Sequence, residues 1–239
     1  MYKALLLDLD DTLIKSSKLY NKALRFASDY IAERYAMDKE MFFQVTAEKD
    51  LLVRRNFPTV HTRHSRILVF RMALDQMGIK YDLGSLPDAE DIYWNYFRQN
   101  IELYDGVLDA LAIIKKHKVK IAVVSDGGLS LRIRKVQQAG LIPFIDDLFA
   151  SEEVIFEKPF SAIYTLALSR LGVDASETVM LGNNYKNDVR GAQLVGIRAG
   201  LFDPKKEGNI EGQDGTIIAD FIIHSYMDLP KEMGIIDPK

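Results

Sequence analysis

Two aspartates, Asp8 and Asp10, end a short apolar run near the start of the chain. Their residue type and spacing point to chemistry more clearly than those of any other pair in the sequence. The segment 3–10 is apolar until Asp8 and Asp10, which is typical of a strand buried in a parallel sheet. Side chains two residues apart on an extended segment leave it on the same side, so the two carboxylates are expected to lie close together. Carboxylates at a buried strand end are costly without a partner, and a divalent cation with oxygen ligands, such as Mg²⁺, relieves their repulsion.

Further polar residues follow later apolar runs at intervals that suit separate strand ends. Ligands of open parallel sheets bind beyond the carboxyl ends of the strands, so these residues are expected to meet there. They are Ser125, Asp126 and Gly127 after one run, Lys158 in a later loop, and Asn183 and Asp188 after another run. Together with Thr12, the hydroxyl of Ser125 and the amides around Asp126 and Gly127 are predicted to donate to phosphate oxygens, and Lys158 adds a positive charge. Because the sequence has no cysteine and no histidine at a predicted strand end, the nucleophile that remains is a carboxylate, a type of group that accepts phosphoryl.

Each of these residues also has a purely structural interpretation. Thr12, Ser125 and the glycines after it are suited to turns. In this interpretation Lys158 is a solvated loop lysine, and Asp188 is the N-cap of a helix. The order of the whole set along the chain favours the functional interpretation.

The elements that must position these side chains are strands that alternate with helices. From 104 onward the pattern predicts strands over 119–124, 148–150, 178–181 and 221–223, with helices between them. We therefore predict a doubly wound parallel α/β sheet, Rossmann-like, built from residues 1–15 and 104–239. Residues 16–103 show helical periodicity and are predicted to form an all-helical insertion. The segment 203–220 is expected to be a surface loop.

The ordered motifs resemble those of the haloacid dehalogenase superfamily of hydrolases, and the insertion resembles that family's C1-type cap. The resemblance extends from about Tyr2 to Leu201, and its motifs are Asp8-Leu-Asp-Asp-Thr-Leu13, Ser125, Lys158-Pro159 and Gly182-Asn-Asn-Tyr-Lys-Asn-Asp188. It implies a Mg²⁺-dependent phosphatase that acts on a small phosphomonoester.

The resemblance also implies a role for each matching residue. Asp8 would be the nucleophile and form an aspartyl-phosphate, while Asp10 would protonate the leaving alcohol and later activate water. Neighbouring like charge and partial burial are expected to keep a proton on Asp10. Ser125 and Lys158 would bind the transferring phosphoryl group, and Lys158 would also hold Asp8 in place. Asp188 would help to hold Mg²⁺.

Asn183 departs from the family pattern, which usually has an acid at this position. An amide oxygen can coordinate Mg²⁺ but removes one negative charge, so we expect a metal site of Asp8, Asp10, Asn183 and Asp188 with weakened affinity. This departure keeps open a catalytically degenerate protein that binds or signals. A phosphomutase of the same superfamily is equally open, since the same nucleophile can pass phosphate to a sugar. Asp10 argues against dehalogenation, which has no poor oxyanion leaving group to protonate.

Composition limits the remaining classes of function. The 239 residues carry a net charge of −3 and no cysteine, which excludes thiolate nucleophiles and cysteine-bound metals. We expect no signal peptide and no membrane span, a cytoplasmic protein, and no nucleic-acid partner. The sequence does not indicate an oligomeric state.

One stretch of the predicted insertion opposes the overall charge. Residues 51–74 contain five arginines and two histidines but no acid. We interpret the stretch as a solvated helix face, with a clamp for a second anionic group of the substrate as the alternative.

Overall fold

The computed structural model describes residues 2–206 and 218–235, which form two compact units. We call Met1–Lys15 with Glu102–Lys239 the core unit, and Ser16–Ile101 the helical unit. Backbone pairing explains where the core unit resumes: Lys15 donates to the Glu102 carbonyl at 2.8 Å, and Tyr104 donates to the Leu13 carbonyl at 3.1 Å. The chain that leaves the core unit is thus bonded to the chain that returns.

The core unit contains a parallel six-stranded sheet in the order β3-β2-β1-β4-β5-β6. Its strands are β1 (Ala4–Leu7), β2 (Lys120–Ser125), β3 (Asp147–Ala150), β4 (Thr178–Gly182), β5 (Arg198–Phe202) and β6 (Phe221–Ile223). Its helices are α5 (Val107–Lys116), α6 (Leu129–Gln138), α7 (Ala162–Leu171), α8 (Gly191–Gln193) and α9 (Leu229–Glu232). The doubly wound Rossmann-like prediction is confirmed, and β1 and β4 lie adjacent at the centre, where the strand order reverses.

Burial explains why the central strands were recognisable. All four residues of β1 are fully buried, as expected for a strand covered on both faces. The sequence did not predict β5, whose four-residue apolar run contains Gly200. A Cβ at Gly200 would lie 2.2 Å from the Phe221 ring, so glycine permits the close packing of β5 against β6.

Pro159 lies after a cis peptide bond in the turn that precedes α7, which begins at Ala162. The predicted loop over 203–220 lies in large part outside the described residues.

The helical unit consists of α1 (Ser17–Arg34), α2 (Lys39–Asn56), α3 (Arg66–Gln76) and α4 (Ser85–Gln99) around its own apolar core. Asp38 caps α2 by accepting from the Met41 amide at 2.7 Å, and Ser65 caps α3 by accepting from the Leu68 amide at 3.2 Å. Between these helices His61–His64 form a short 3₁₀ turn. No helix within the described part of the chain combines the length and the apolar character needed to cross a bilayer.

Arg66 is the exception to the interpretation of the basic stretch as a solvated face, because Arg54, Arg55 and Arg71 are exposed. Its side chain is buried, and its guanidinium pairs with the buried Asp50. The same guanidinium donates to the carbonyls of His64 at 3.1 Å and Arg63 at 3.3 Å. Arg66 therefore fastens the 3₁₀ turn to α2.

Candidate active site

The ammonium group of Lys158 lies at the centre of the strand-end residues. Its Nζ is 2.6 Å from Asp8 Oδ1, 2.7 Å from Asp188 Oδ1 and 3.1 Å from the Val124 carbonyl oxygen. Asp8, Asp188 and Lys158 are all nearly fully buried. Three acceptors match the three ammonium protons, so the lysine holds both carboxylates at a fixed distance from the end of β2.

Asp8 follows β1, and its second oxygen accepts a hydrogen bond from Thr12. The Thr12 hydroxyl is 3.0 Å from Asp8 Oδ2 and 3.3 Å from Asn183 Oδ1. A hydroxyl has one proton, so two acceptor oxygens converge on a single donor. Tyr226, which the sequence did not single out, donates from its hydroxyl to the Thr12 carbonyl at 2.8 Å. This hydrogen bond fixes the turn to a residue 214 positions later in the chain.

Asp188 follows β4 on a π-helical turn, Tyr185–Arg190. The N-cap of this turn is Asn184, which accepts from the Asn187 amide at 2.8 Å, and Asp188 Oδ2 accepts from the Asn184 amide at 3.0 Å. The interpretation of Asp188 as the N-cap is therefore wrong. Gly182 makes room for the carboxyl group, since a Cβ there would lie 2.3 Å from Asp188 Cγ. The Asp188 carboxyl group therefore packs against Gly182 at the end of β4 and faces Lys158.

Asp10 lies beside cations that the sequence analysis missed. Both of its carboxylate oxygens contact Lys135 Nζ, at 2.8 and 2.9 Å, and Oδ2 is 3.6 Å from Arg132 Nη1. Like charge was expected around Asp10, whereas the structure also places two basic side chains beside it. The sequence does carry a signal of these cations: Arg132 and Lys135 are three residues apart, on one side of a helix that must cover the sheet.

The loop after β2 uses its polar groups differently from the prediction. The Gly127 amide, predicted to face phosphate, donates to Ser151 Oγ at 2.8 Å. Asp126 Oδ1 accepts from the Lys158 amide at 2.8 Å, which anchors the lysine loop. Ser125 is buried as the last residue of β2. Ser125 therefore lies at a strand end as predicted, and its role as a phosphate donor stays a prediction.

Burial shifts the acid–base equilibria of this site. It raises the pKa of Asp8 to about 6, against the opposing effect of Lys158. Burial likewise raises the pKa of Asp126 to about 6, and it lowers the pKa of Lys135 to about 7 in spite of Asp10. With a pKa of about 6, the Asp8 carboxyl group is mostly ionised at neutral pH.

The oxygen ligands near Asp8 suit a small hard cation. Asp8 Oδ2 and Asn183 Oδ1 converge on Thr12, and Mg²⁺ normally takes only one or two carboxylates and completes its shell with other oxygens. No group of three or more acidic or histidine side chains is arranged to hold a metal among the residues the structure describes. Of the four predicted metal ligands, the Asp10 carboxylate is the least suitable, because both of its oxygens face Lys135.

Comparison with known proteins agrees with this architecture. The model of the haloacid dehalogenase-like hydrolase family matches residues 2–196. The chain is 31% identical to the ribulose-1,5-bisphosphate 5-phosphatase of Halopiger xanaduensis, over 87% of this chain and 88% of that protein. It is 28% identical to the glyceraldehyde 3-phosphate phosphatase of Methanopyrus kandleri, over 98% and 96%. The crystal structure of the magnesium-bound HAD-hydrolase YfnB from Bacillus subtilis superposes with a TM-score of 0.72 at 24% identity, covering 98% of this chain and 99% of that one.

The doubly wound sheet and the family match together identify the class of protein as a hydrolase. The chain belongs to the haloacid dehalogenase-like hydrolase family.

Proposed function

We propose that this protein is a Mg²⁺-dependent phosphatase that hydrolyses a small phosphomonoester through an aspartyl-phosphate on Asp8. The observation that carries the proposal is the ion-paired arrangement of Asp8, Lys158 and Asp188, with Asp10 two residues further along the same chain segment. The names of the two relatives support a phosphorylated metabolite as the substrate class.

In the first half-reaction Asp8 attacks phosphorus, and the bond from phosphorus to the leaving oxygen breaks. Lys158 fixes Asp8 Oδ1, so the attacking carboxylate keeps one orientation. Asp10 gives a proton to the leaving alcohol, which departs neutral. Ser125 is the proposed donor to the phosphoryl oxygens at the end of β2, and the Lys158 ammonium adds positive charge close to them.

In the second half-reaction a water molecule attacks the phosphorus of the aspartyl-phosphate. Asp10, now a carboxylate, takes the proton of that water, and the bond between phosphorus and the Asp8 oxygen breaks. Inorganic phosphate leaves, and Asp8 is restored as a carboxylate. The same residue thus alternates between acid and base.

Mg²⁺, when bound, would neutralise negative charge on the phosphoryl group and on Asp8. Asp8, Asn183 and Asp188 are its proposed side-chain ligands, and Thr12 is their neighbour. We propose further that the helical unit acts as the cap that the family resemblance implies.

The test is hydrolysis of p-nitrophenyl phosphate by the wild type and by Asp8→Asn, each with and without Mg²⁺. The proposal expects turnover that needs both Asp8 and the metal. Ribulose 1,5-bisphosphate and glyceraldehyde 3-phosphate would follow as the first metabolites assayed, with released phosphate as the readout. Turnover by Asp8→Asn equal to that of the wild type would overturn the proposal.

A further inference from the structure

The inner face of α6 carries cations where a helix packed on a sheet normally carries apolar side chains. The buried residues of this helix are Arg132, Lys135 and Val136, so two of its three buried positions are charged. Lys135 is fully buried and Arg132 is 2% exposed. Burying an ammonium group costs several kcal/mol unless it is paired and hydrogen-bonded, so its position calls for an anionic partner.

Asp10 is such a partner, and the contact is specific in geometry. Lys135 Nζ lies almost equally far from the two carboxylate oxygens, at 2.8 and 2.9 Å. Arg132 adds a third contact at 3.6 Å to Oδ2. The Asp10 side chain is itself 20% exposed, so one side of the carboxyl group is held while the group keeps access to solvent.

The loop after β2 is shaped to admit this pair of cations. Gly127 has a φ of +114°, and a Cβ there would lie 2.4 Å from Arg132 Nη2. Arg132 also donates from Nε to the Asp126 carbonyl at 2.7 Å. The guanidinium is therefore fixed against the backbone, and glycine at 127 is what allows it to pass.

We infer that Lys135 is a positioning residue that holds Asp10 as the proton acceptor for hydrolysis of the aspartyl-phosphate. The inference rests on the proposed function and adds a residue to it. A side chain that contacts both carboxylate oxygens limits rotation of the carboxyl group, so Asp10 keeps one orientation in both half-reactions. Arg132 supports the same orientation from the neighbouring turn of α6.

The substrate p-nitrophenyl phosphate separates this role from a merely structural one. Its leaving group departs without a proton, so the first transfer does not need Asp10, and kcat/KM reports only the steps up to that transfer. Hydrolysis of the aspartyl-phosphate still needs Asp10 as a base. Loss of Lys135 is therefore expected to lower kcat and to leave kcat/KM nearly unchanged.

The experiment compares Lys135→Met with the wild type in stopped-flow and steady-state assays, at saturating Mg²⁺. We expect kcat to fall about tenfold or more, because a positioned proton acceptor contributes roughly 10²- to 10⁴-fold. We expect kcat/KM to stay within about threefold, and a burst of p-nitrophenolate equal to the enzyme concentration as the aspartyl-phosphate accumulates. The matched control is Lys115→Met, which removes a half-exposed lysine of the core unit that pairs with Asp146 and should leave both constants unchanged.

Equal losses in kcat and kcat/KM, with a burst smaller than the enzyme concentration, would show a structural role and overturn the inference while leaving the phosphatase proposal intact. A wild type without Asp8-dependent release of p-nitrophenolate would overturn the proposed function and the inference together. If Lys135→Met does not fold, Lys135→Gln takes its place with the same criteria, because its side chain is polar but lacks the ammonium group that contacts both Asp10 oxygens. Lys135→Arg, which retains the charge, should recover part of the lost kcat.

Discussion

In the core unit Lys158 joins two buried aspartates, and in the helical unit Arg66 joins a buried aspartate to a backbone turn. Asp50 accepts from Arg66 on one oxygen and from Arg54 at 2.9 Å on the other, so both of its oxygens are engaged by cations. Arg66 also lies 5.4 Å from the centre of the Tyr93 ring. In this cluster carboxylate, guanidinium, carbonyls and ring satisfy one another, which is the arrangement of a structural ion pair.

The core cluster has the same ingredients but differs in two respects. Its carboxylates outnumber the lysine that joins them, and they lie on turns that follow strands instead of within helices. Burial also raises the pKa of Asp8 to about 6. Shifted acid–base equilibria at strand ends are typical of a site prepared for chemistry, whereas a buried carboxylate held on both oxygens by guanidinium groups is typical of a structural contact.

Lys158→Met should have the largest effect and should affect both stability and activity. Removal of the ammonium leaves two buried carboxylates facing each other, which costs about 3–5 kcal/mol of stability. Loss of the group that orients Asp8 should lower kcat/KM about 10²- to 10³-fold. Thermal unfolding with increasing Mg²⁺ tests the comparison directly, because a divalent cation is expected to restore part of the stability. A variant as stable as the wild type without Mg²⁺ would contradict the assigned role of Lys158.

Arg66→Met should destabilise the protein by about 3 kcal/mol, because it leaves Asp50 buried with one cation fewer. Mg²⁺ should not restore this loss, and kcat per folded molecule of enzyme should not change. Chemical denaturation measures the first and active-site titration the second. The matched control is Arg34→Met, which removes partly exposed ion pairs with Asp82 and Asp88 in the same unit and should cost much less stability than Arg66→Met. Equal losses for the two variants would show that the buried pair has no special importance.

Asn183→Asp should increase the affinity of the core cluster for Mg²⁺. The new carboxylate replaces an amide oxygen that lies 3.3 Å from the Thr12 hydroxyl, close to Asp8. We expect the half-saturating Mg²⁺ concentration to fall about tenfold, which corresponds to about 1.4 kcal/mol, and the metal-free protein to become less stable through carboxylate repulsion. Thermal shift against Mg²⁺ measures both effects without an activity assay. An unchanged midpoint would show that residue 183 does not contact the metal.

Asp126→Asn should give the smallest effect, with a characteristic pH dependence. In the folded protein the pKa of Asp126 is raised from 3.8 to about 6, so ionisation of Asp126 costs stability. This cost is absent below about pH 3.8, grows between about pH 3.8 and 6, and is fully present above that range. Asparagine keeps the acceptor for the Lys158 amide without the charge, so its advantage over the wild type should grow with rising pH to on the order of 1 kcal/mol. An advantage that is constant from pH 4 to 7 would contradict the assignment.

The residues that the sequence predicted best are those tied to a strand end by chain order. Asp8 and Asp188 follow apolar runs, and Lys158 lies in a loop between two such runs. Parallel topology brings these points to one edge of the sheet. Lys135 escaped notice because a lysine in a helix is ordinarily solvated, and the one signal along the chain, a second cation at Arg132, does not by itself show that Lys135 faces the sheet. The Gly127 amide was assigned to phosphate for a related reason, since Ser151, which accepts its hydrogen bond, is 24 residues away.

Chain order and apolar patterning thus determined the doubly wound sheet, the helical insertion and the set of acids at the strand ends. These features follow from local spacing, which fixes which side chains leave a strand together and where each strand stops. Only the tertiary structure decided that Lys158 pairs with Asp188 as well as with Asp8, and that Lys135 and Arg132 lie against Asp10. The reason is physical, because the cost of burying a charge depends on the charge that meets it in space, and the partner of Asp10 lies 125 residues further along the chain.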